Sequence, residues 1–407
     1  MKQRNFAWQF AFGWMNFAFA VPSIYLMLGM PLIMRQHGWS GTEIGLFQLA
    51  ALPTILKFLF ALPVQKINLG NGHFVSWLWG LSVPLVALLI WLSTQNMINQ
   101  PIQLFIFTFV MSMLLTWLDI PLNALAVQFF SRTQQIHAGS IRSAALFLGA
   151  IVGGGIMVLL HSHYGWQLPL VIIAIFILIG LIPFAYLRKH AQLSLITTDR
   201  STTLYNVIQD WKEFFQQPYI KSWMALLILG FPFIGAVWLY LKPMLLDYGL
   251  SVQNVAFWVG IIGGIVGAVS SLIAGILAQH VGIAKTLNLY LSISILAILL
   301  LAFSLWLKLS PAWLIAWALC VGIGMGGVSA LLFGLTFLFT RSTHNAIDYG
   351  LQTTLFTISR IGVPILAGML LDYYGYFTML CLLSFGIMIA LVMSLKAQPA
   401  IEMKQNG

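Results

Sequence analysis

Residues 167–187 read QLPLVIIAIFILIGLIPFAYL, and the next two are Arg188-Lys189. At 1.5 Å per residue this uncharged run makes about 30 Å of helix, the thickness of a bilayer's hydrocarbon core. It is continuous rather than alternating, so it is no strand of a membrane β-barrel. Comparable runs recur over 7–33, 43–64, 73–94, 102–128, 138–160, 221–246, 253–279, 284–307, 311–339, 347–371 and 375–396. Of 407 residues, 60% are hydrophobic and only 7% charged, with 19 Lys or Arg against 9 Asp or Glu. A soluble domain carries about 25% charged residues, and no soluble enzyme could cover so much apolar surface. The expected fold class is therefore an all-α integral membrane protein with twelve transmembrane helices.

The basic residues test that count. With both termini in the cytoplasm, fourteen Lys or Arg fall inside, from Lys2 and Arg4 to Lys396 and Lys404, and only Arg35 and Lys308 fall outside. Such a bias is the positive-inside pattern. It also explains the net charge of +10 without a nucleic-acid partner, because the basic residues are dispersed between spans and form no phosphate-binding face. The first run is too long for a signal-peptide core and lacks a small-residue cleavage site, so it is expected to stay as the first span.

Six spans, one long polar connection and six more spans divide the chain. Residues 1–190 are expected to form an amino-terminal six-helix bundle and 221–400 a carboxy-terminal one, followed by a cytoplasmic tail, 401–407. In the linker, 191–220, Leu204, Val207, Ile208, Trp211, Phe214 and Phe215 recur at helical spacing, which predicts an amphipathic helix at the cytoplasmic interface. A faint repeat joins the halves. Ala144-Ala145-Leu146-Phe147 and Thr353-Thr354-Leu355-Phe356 sit in spans five and eleven, each followed by a glycine, Gly153 and Gly362.

Ionisable groups within a span are costly, so they mark candidate functional sites. Asp119 in span four and Lys57 in span two both fall in the cytoplasmic half of the first bundle. They either pair or flank a cavity in which Asp119 takes up a proton. Asn123 lies one turn beyond Asp119, and Pro121 between them frees a backbone carbonyl. Asp348 opens span eleven, where the helix dipole holds a carboxylate or a proton-carrying role would place one. Arg360, three turns further on a helix that also carries Gln352 and Thr357, suits an anionic solute, since a guanidinium grips a carboxylate in two bonds. Lys242 is near the outer end of span seven, with room to snorkel. Proton coupling is thus assigned to Asp119 and Asp348, and solute binding to Arg360, Lys57, Gln352, Asn123 and Lys242. Ser40-Gly41-Thr42-Glu43 is a capping box, and Asp247 and Asp372 are expected to be solvated at outer span ends. His161 and His163 share an outer loop without a third ligand, so no metal site is expected. Cys320 and Cys381 lie in apolar runs as small hydrophobes. No nucleotide-binding or nucleophile–base pattern occurs, so neither a cofactor nor an enzymatic activity is expected.

Several stretches resemble the peptide–acetyl-CoA–drug transporter family of the major facilitator superfamily. They are Gly29-Met30-Pro31-Leu32-Ile33-Met34-Arg35-Gln36-His37-Gly38, Glu43-Ile44-Gly45-Leu46, Leu52-Pro53-x3-Lys57-Phe58-Leu59, Asp119-Ile120-Pro121-Leu122-Asn123-Ala124-Leu125-Ala126-Val127, Asp348-Tyr349-Gly350-Leu351-Gln352 and Gly368-x3-Asp372-x2-Gly375. That family includes muropeptide permeases and RhtX/FptX-type siderophore importers, and the shorter chain and span-eleven pattern are more similar to the latter. The chain departs from the superfamily at Gln65-Lys66, where Asp-Arg is usual, and at Gly275-x3-Gln279-His280-x-Gly282-x2-Lys285, where the acidic residue is again missing. The resemblance implies a proton-coupled secondary transporter of the bacterial inner membrane that imports a small anionic metabolite, best matched by a siderophore, by alternating access. The alternatives it leaves are a muropeptide or sugar-peptide permease and a metabolite or drug exporter. Implied partners are the solute (an iron–siderophore on the first reading), protons, the lipid bilayer, and a periplasmic or outer-membrane uptake system.

Overall fold

The computed structural model describes residues 2–57, 60, 63–64, 67, 69–70, 72–129, 145–190, 212–217, 219–339 and 345–406, and every regular element among them is helical. Ten stretches are long and apolar enough to cross a membrane. The last, Leu351–Glu402, has 52 residues, about twice what a bilayer needs. It leaves helical geometry at Gly375, with φ 78° and ψ 175°, a conformation that glycine adopts without the Cβ clash of other residues. Spans eleven and twelve therefore meet there. The one expected span outside the ten is span two. It begins as an α-helix, Gly41–Phe47, and tightens into a 3₁₀ segment, Gln48–Thr54. There Pro53 offers no amide for a regular ladder.

Irregular turns also interrupt other spans. Span one runs through Lys2–Ile24, a π turn at Tyr25–Gly29, and Met30–Gln36. A π turn misaligns the carbonyl ladder, and Gln48 Nε2 donates to Met27 O at 3.2 Å within it. Span five has its own π turn, Val152–Ile156. A Cβ on Gly153 would lie 2.6 Å from Val21 O, so glycine is what lets spans one and five touch backbone to backbone. Span eight has a third π turn, Ala256–Ile262.

The chain forms two compact units, Met1–Gly38 with Phe47–Thr197 and Ser251–Ile261, and Trp39–Leu46 with Thr198–Leu250 and Ile262–Gly407. Two short segments are thus exchanged relative to chain order, the start of span two and about the first third of span eight. Because lipid is as apolar as leucine, helices in a bilayer are held by close packing and polar bonds more than by burial. In the first unit, Trp14 Nε1 donates to Phe176 O at 2.9 Å and Trp166 Nε1 to Leu92 O at 2.7 Å. In the second, Ser270 Oγ donates to Ile323 O and Ser359 Oγ to Ile228 O, both at 2.7 Å.

Some end residues depart from expectation. His161 lies in the helix Met157–Tyr164, not in a loop, and its Nδ1 is 2.7 Å from the hydroxyl of fully buried Tyr25. Asp247 accepts from the Tyr376 hydroxyl at 2.7 Å, and Asp372 is bonded to span two rather than only solvated. The capping box forms as read: Ser40 N donates to Glu43 Oε2 at 2.8 Å, and Glu43 N to Ser40 Oγ at 3.1 Å. The expected linker helix lies outside the described residues except for 212–217, where Phe214 is fully buried. Ala144 of the repeat and Gln65-Lys66 also lie outside them.

Candidate functional site

In the first unit Lys57 Nζ and an Asp119 carboxylate oxygen form an ion pair. Lys57 follows the 3₁₀ segment of span two after the turn at Ile55 and Leu56, and Asp119 stands in the helix Pro101–Phe129. Their side chains are 44% and 22% exposed. Asn123 turns back onto its own helix, Nδ2 donating to Asp119 O at 2.6 Å, and so stiffens the turn that aims the carboxylate. Behind it, Trp117 stacks on Phe60 with centroids 5.5 Å apart and leans on Trp77 at 5.8 Å.

Arg360 belongs to the second unit, in the helix Asn345–Asn406. On that helix Ile358, Leu366 and Met369 are exposed and mark the outward face. Arg360 points the other way, along the line of Pro364, Ala367 and Leu371, all of which are buried. Yet Arg360 itself is exposed, and Thr353 and Thr357 beside it are half-buried. The Arg360 side chain is thus exposed on the inward-directed side of its helix. Among the described residues no hydrogen bond or ion pair engages its guanidinium. Ser359 next to it is spent on Ile228 O, and the Thr357 hydroxyl on Thr353 O at 2.7 Å.

The other expected site residues sit elsewhere. Gln352 is fully buried; it accepts from Trp223 Nε1 at 2.7 Å and donates to Thr336 O at 3.3 Å. Trp223 in turn stacks on Phe339 at 4.8 Å with 6° between the rings, so Gln352 closes a joint of spans seven, ten and eleven. Lys242 is 2% exposed, packed within Ile220–Asp247 rather than snorkelling to an open surface. The side chain of Asp348 lies outside the described residues. Thus the structure brings Lys57, Asp119 and Asn123 together, and sets Arg360 and Gln352 two turns apart on one helix. Among the described residues no group of three or more His, Cys, Asp or Glu could hold a metal ion. Reading the sequence missed the Tyr25–His161 bond and the Asp372 contact, which join residues far apart in the chain. Their only local signal is a polar residue in an apolar run.

The family model described as Major Facilitator Superfamily matches residues 8–364. The chain belongs to the major facilitator superfamily. This is a family of membrane transporters, and the major facilitator fold fits the all-helical architecture above. Two curated relatives are each 25% identical over 86% of this chain and 89% of their own length. They are putative transporters AmpG 4 of Rickettsia felis and of Rickettsia conorii. Solved structures share the fold at low identity. A mutant of the peptide transporter POT in complex with sulfate has a TM-score of 0.75 and 12% identity, over 97% of this chain and 95% of that one. A D-xylose–proton symporter has 0.73 and 10%, over 95% and 97%. A bacterial homologue of the lysosomal transporter Spinster, inward-facing and unoccupied, has 0.71 and 13%, over 99% of each chain.

Proposed function

We propose that this major facilitator is a proton-coupled importer of the bacterial inner membrane, with both termini in the cytoplasm, that carries a small solute bearing a carboxylate. The observation that supports this reading is Arg360, directed inward on its helix, exposed, and without a described protein partner. A charge held at that depth needs an anion to answer it, and a guanidinium binds a carboxylate through two parallel bonds. Lys57 supplies a second cation whose availability depends on Asp119. When Asp119 takes a proton, Lys57 loses its counter-charge and can turn to the solute anion, which links proton uptake to solute binding. Asp348, one turn before Gln352, is the second proton-carrying candidate.

Two solutes fit that chemistry. One is a carboxylate-type siderophore, the solute to which the sequence resemblance leads, with a periplasmic or outer-membrane uptake system upstream. The other is a muropeptide or sugar-peptide. It is favoured by the curated relatives, which carry the AmpG name and not that of a siderophore importer. The test is uptake into proteoliposomes under an imposed pH gradient, with radiolabelled ferric citrate and a radiolabelled muropeptide as alternative probes. Saturable accumulation of one probe, abolished by a protonophore and weakened by Arg360→Gln, is expected. Accumulation that ignores the gradient would sink proton coupling, and equal uptake by Arg360→Gln would sink the anion-binding role. Reporter fusions after Asn96, Ser162 and Leu250 should report the outer side, and those after Gly70, Gln134 and Ser201 the inner side.

A further inference from the structure

Three phenylalanines from three helices meet one turn before Arg360. Phe231 stands in Ile220–Asp247, Phe333 in Pro311–Leu338 and Phe356 in Asn345–Asn406, all within the second unit. Ring centroids are 5.6 Å apart for Phe231 with Phe356, 5.6 Å for Phe333 with Phe356 and 6.1 Å for Phe231 with Phe333. The rings incline at 35°, 70° and 49° in the same order, within the tilted to edge-on geometries that aromatic quadrupoles favour. Phe356 and Arg360 are four residues apart and so share one face of their helix. It is the face of buried Pro364 and Ala367, turned away from exposed Ile358 and Met369. Because Phe333 meets span eleven through Phe356, it lies on that inward-directed side as well. Exposure is graded across the cluster: Phe356 is 9% exposed, Phe231 half-buried and Phe333 49% exposed. Phe356 therefore backs the cluster, and Phe333 presents open ring surface at its edge. The Ser359 hydroxyl donates to Ile228 O at 2.7 Å, which fixes the register of the two helices that carry Phe231 and Phe356.

We infer that these three rings form an aromatic subsite beside Arg360, so that the carboxylate solute carries a flat, unsaturated ring next to its acid group. The inference rests on the anion-binding reading of Arg360 above and narrows it. A guanidinium alone admits any carboxylate, and its neighbours decide which body comes with the charge. The hydroxyls around it are poor readers of a sugar. Thr357 donates to Thr353 O, Ser359 to Ile228 O, Ser329 to Gly326 O and Thr336 to Leu332 O. A hydroxyl has one proton to donate, so none of the four has a second for a sugar oxygen. The Gln352 amide is held by Trp223 and Thr336. What stands beside the arginine is ring carbon. Side chains one helical turn apart have Cβ atoms about 5–6 Å apart, a gap that an aryl carboxylate bridges as one rigid unit. Its acid group stays on the fork of Arg360 while its ring meets Phe333 and Phe231 edge to face. A sugar ring, saturated and hydroxylated, would meet carbon where it needs hydrogen-bond donors.

The experiment measures equilibrium binding of small carboxylates to the purified full-length protein by isothermal titration calorimetry. The probes are naphthoate, its saturated counterpart decahydronaphthoate, and glucuronate. Naphthoate is expected to bind more tightly than glucuronate, and about fivefold more tightly than decahydronaphthoate, within the range that an aromatic pair contributes. Phe333→Leu keeps the apolar bulk and removes the ring, so the preference for naphthoate over its saturated counterpart should disappear. Phe333→Tyr keeps the ring and should keep the preference. Because the readout is a ratio of two ligands of similar size, a general loss of packing does not move it. Phe231→Leu reads the same ratio from a second helix. A ratio unchanged in both leucine variants would overturn the aromatic subsite, and so would naphthoate that binds no more tightly than glucuronate. Failure of both leucine variants to fold would make the rings a structural core and overturn it too. The anion-binding reading fails on a different observation, Arg360→Gln binding all three carboxylates as the parent does. If Arg360→Gln weakens all three while the leucine variants leave the ratio intact, the arginine keeps its role and the aromatic subsite falls.

Discussion

Lys57 in span two meets the carboxylate of Asp119, whereas Arg360 in span eleven meets no carboxylate among the described residues. Lys57 follows the 3₁₀ segment of span two, Arg360 lies in the helix Asn345–Asn406, and both side chains are at least partly exposed. The first is neutralised inside its own unit. The second carries a fixed charge, because a guanidinium does not lose its proton in proteins. A carrier that must bind an anion and then release it gains from such asymmetry. On the proposed function the permanent charge would select the solute, and the compensated one would be freed when Asp119 takes up a proton. Removing either half of the pair should therefore disturb the fold, while altering Arg360 should disturb only recognition.

The pair gives the larger effect. Lys57→Met leaves the Asp119 charge unanswered, and Asp119→Asn leaves that of Lys57. Breaking a buried pair costs about 3–5 kcal/mol, and the exposure of Lys57 reduces this to about 2 kcal/mol. Each single variant should lower the apparent melting temperature in detergent, and the double variant should recover most of the loss. A folded Asp119→Asn protein that binds solute but no longer accumulates it against a gradient would make Asp119 the proton carrier. It would also show that the pair contributes little to stability.

Arg360→Lys keeps the charge and loses the two-bond fork. Solute affinity should weaken about tenfold, which corresponds to about 1.4 kcal/mol, with expression and melting temperature unchanged. Equilibrium binding to purified protein measures the first and differential scanning fluorimetry the second. If instead Arg360→Lys melts early and binds normally, the arginine is a structural group like Lys57 and the contrast between the units collapses.

The spans were legible because hydropathy is local: a run such as 167–187 declares itself without reference to the rest of the chain. The capping box was legible for the same reason, since Ser40 and Glu43 complete each other within one turn. Lys57 and Asp119 were legible through scarcity, being opposite charges at matching depth in a chain with few of either. What sequence could not show depends on contacts between distant segments. Asp372 bonds to an amide 331 positions away, and hydropathy reads it as a solvated end. Lys242 sits where every residue from Ala236 to Leu245 is buried, and no local pattern separates that from a snorkelling lysine. The π turns in spans one, five and eight leave hydropathy unchanged and show only in the hydrogen-bond ladder.

Gln352 gives the smallest effect and the sharpest control. The sequence places it with Arg360 as a solute ligand, two turns away on one helix. In the structure its amide is fully occupied with Trp223 and Thr336 at a position closed to water. If that joint is only a lock, Trp223→Phe and Gln352→Leu should each cost about 1 kcal/mol of stability, because each leaves a buried polar partner unsatisfied. Combining them removes both partners, so the double variant should be less destabilised than the sum of the two, with a coupling of about 1 kcal/mol. Solute affinity should stay within about twofold of the parent in all three, against the tenfold loss from Arg360→Lys. A Gln352→Leu protein with an unchanged melting temperature and a tenfold weaker affinity would reverse the assignment. The glutamine would then turn out of its lock to meet the solute, and neutral side chains as well as charged ones would read it in the second unit.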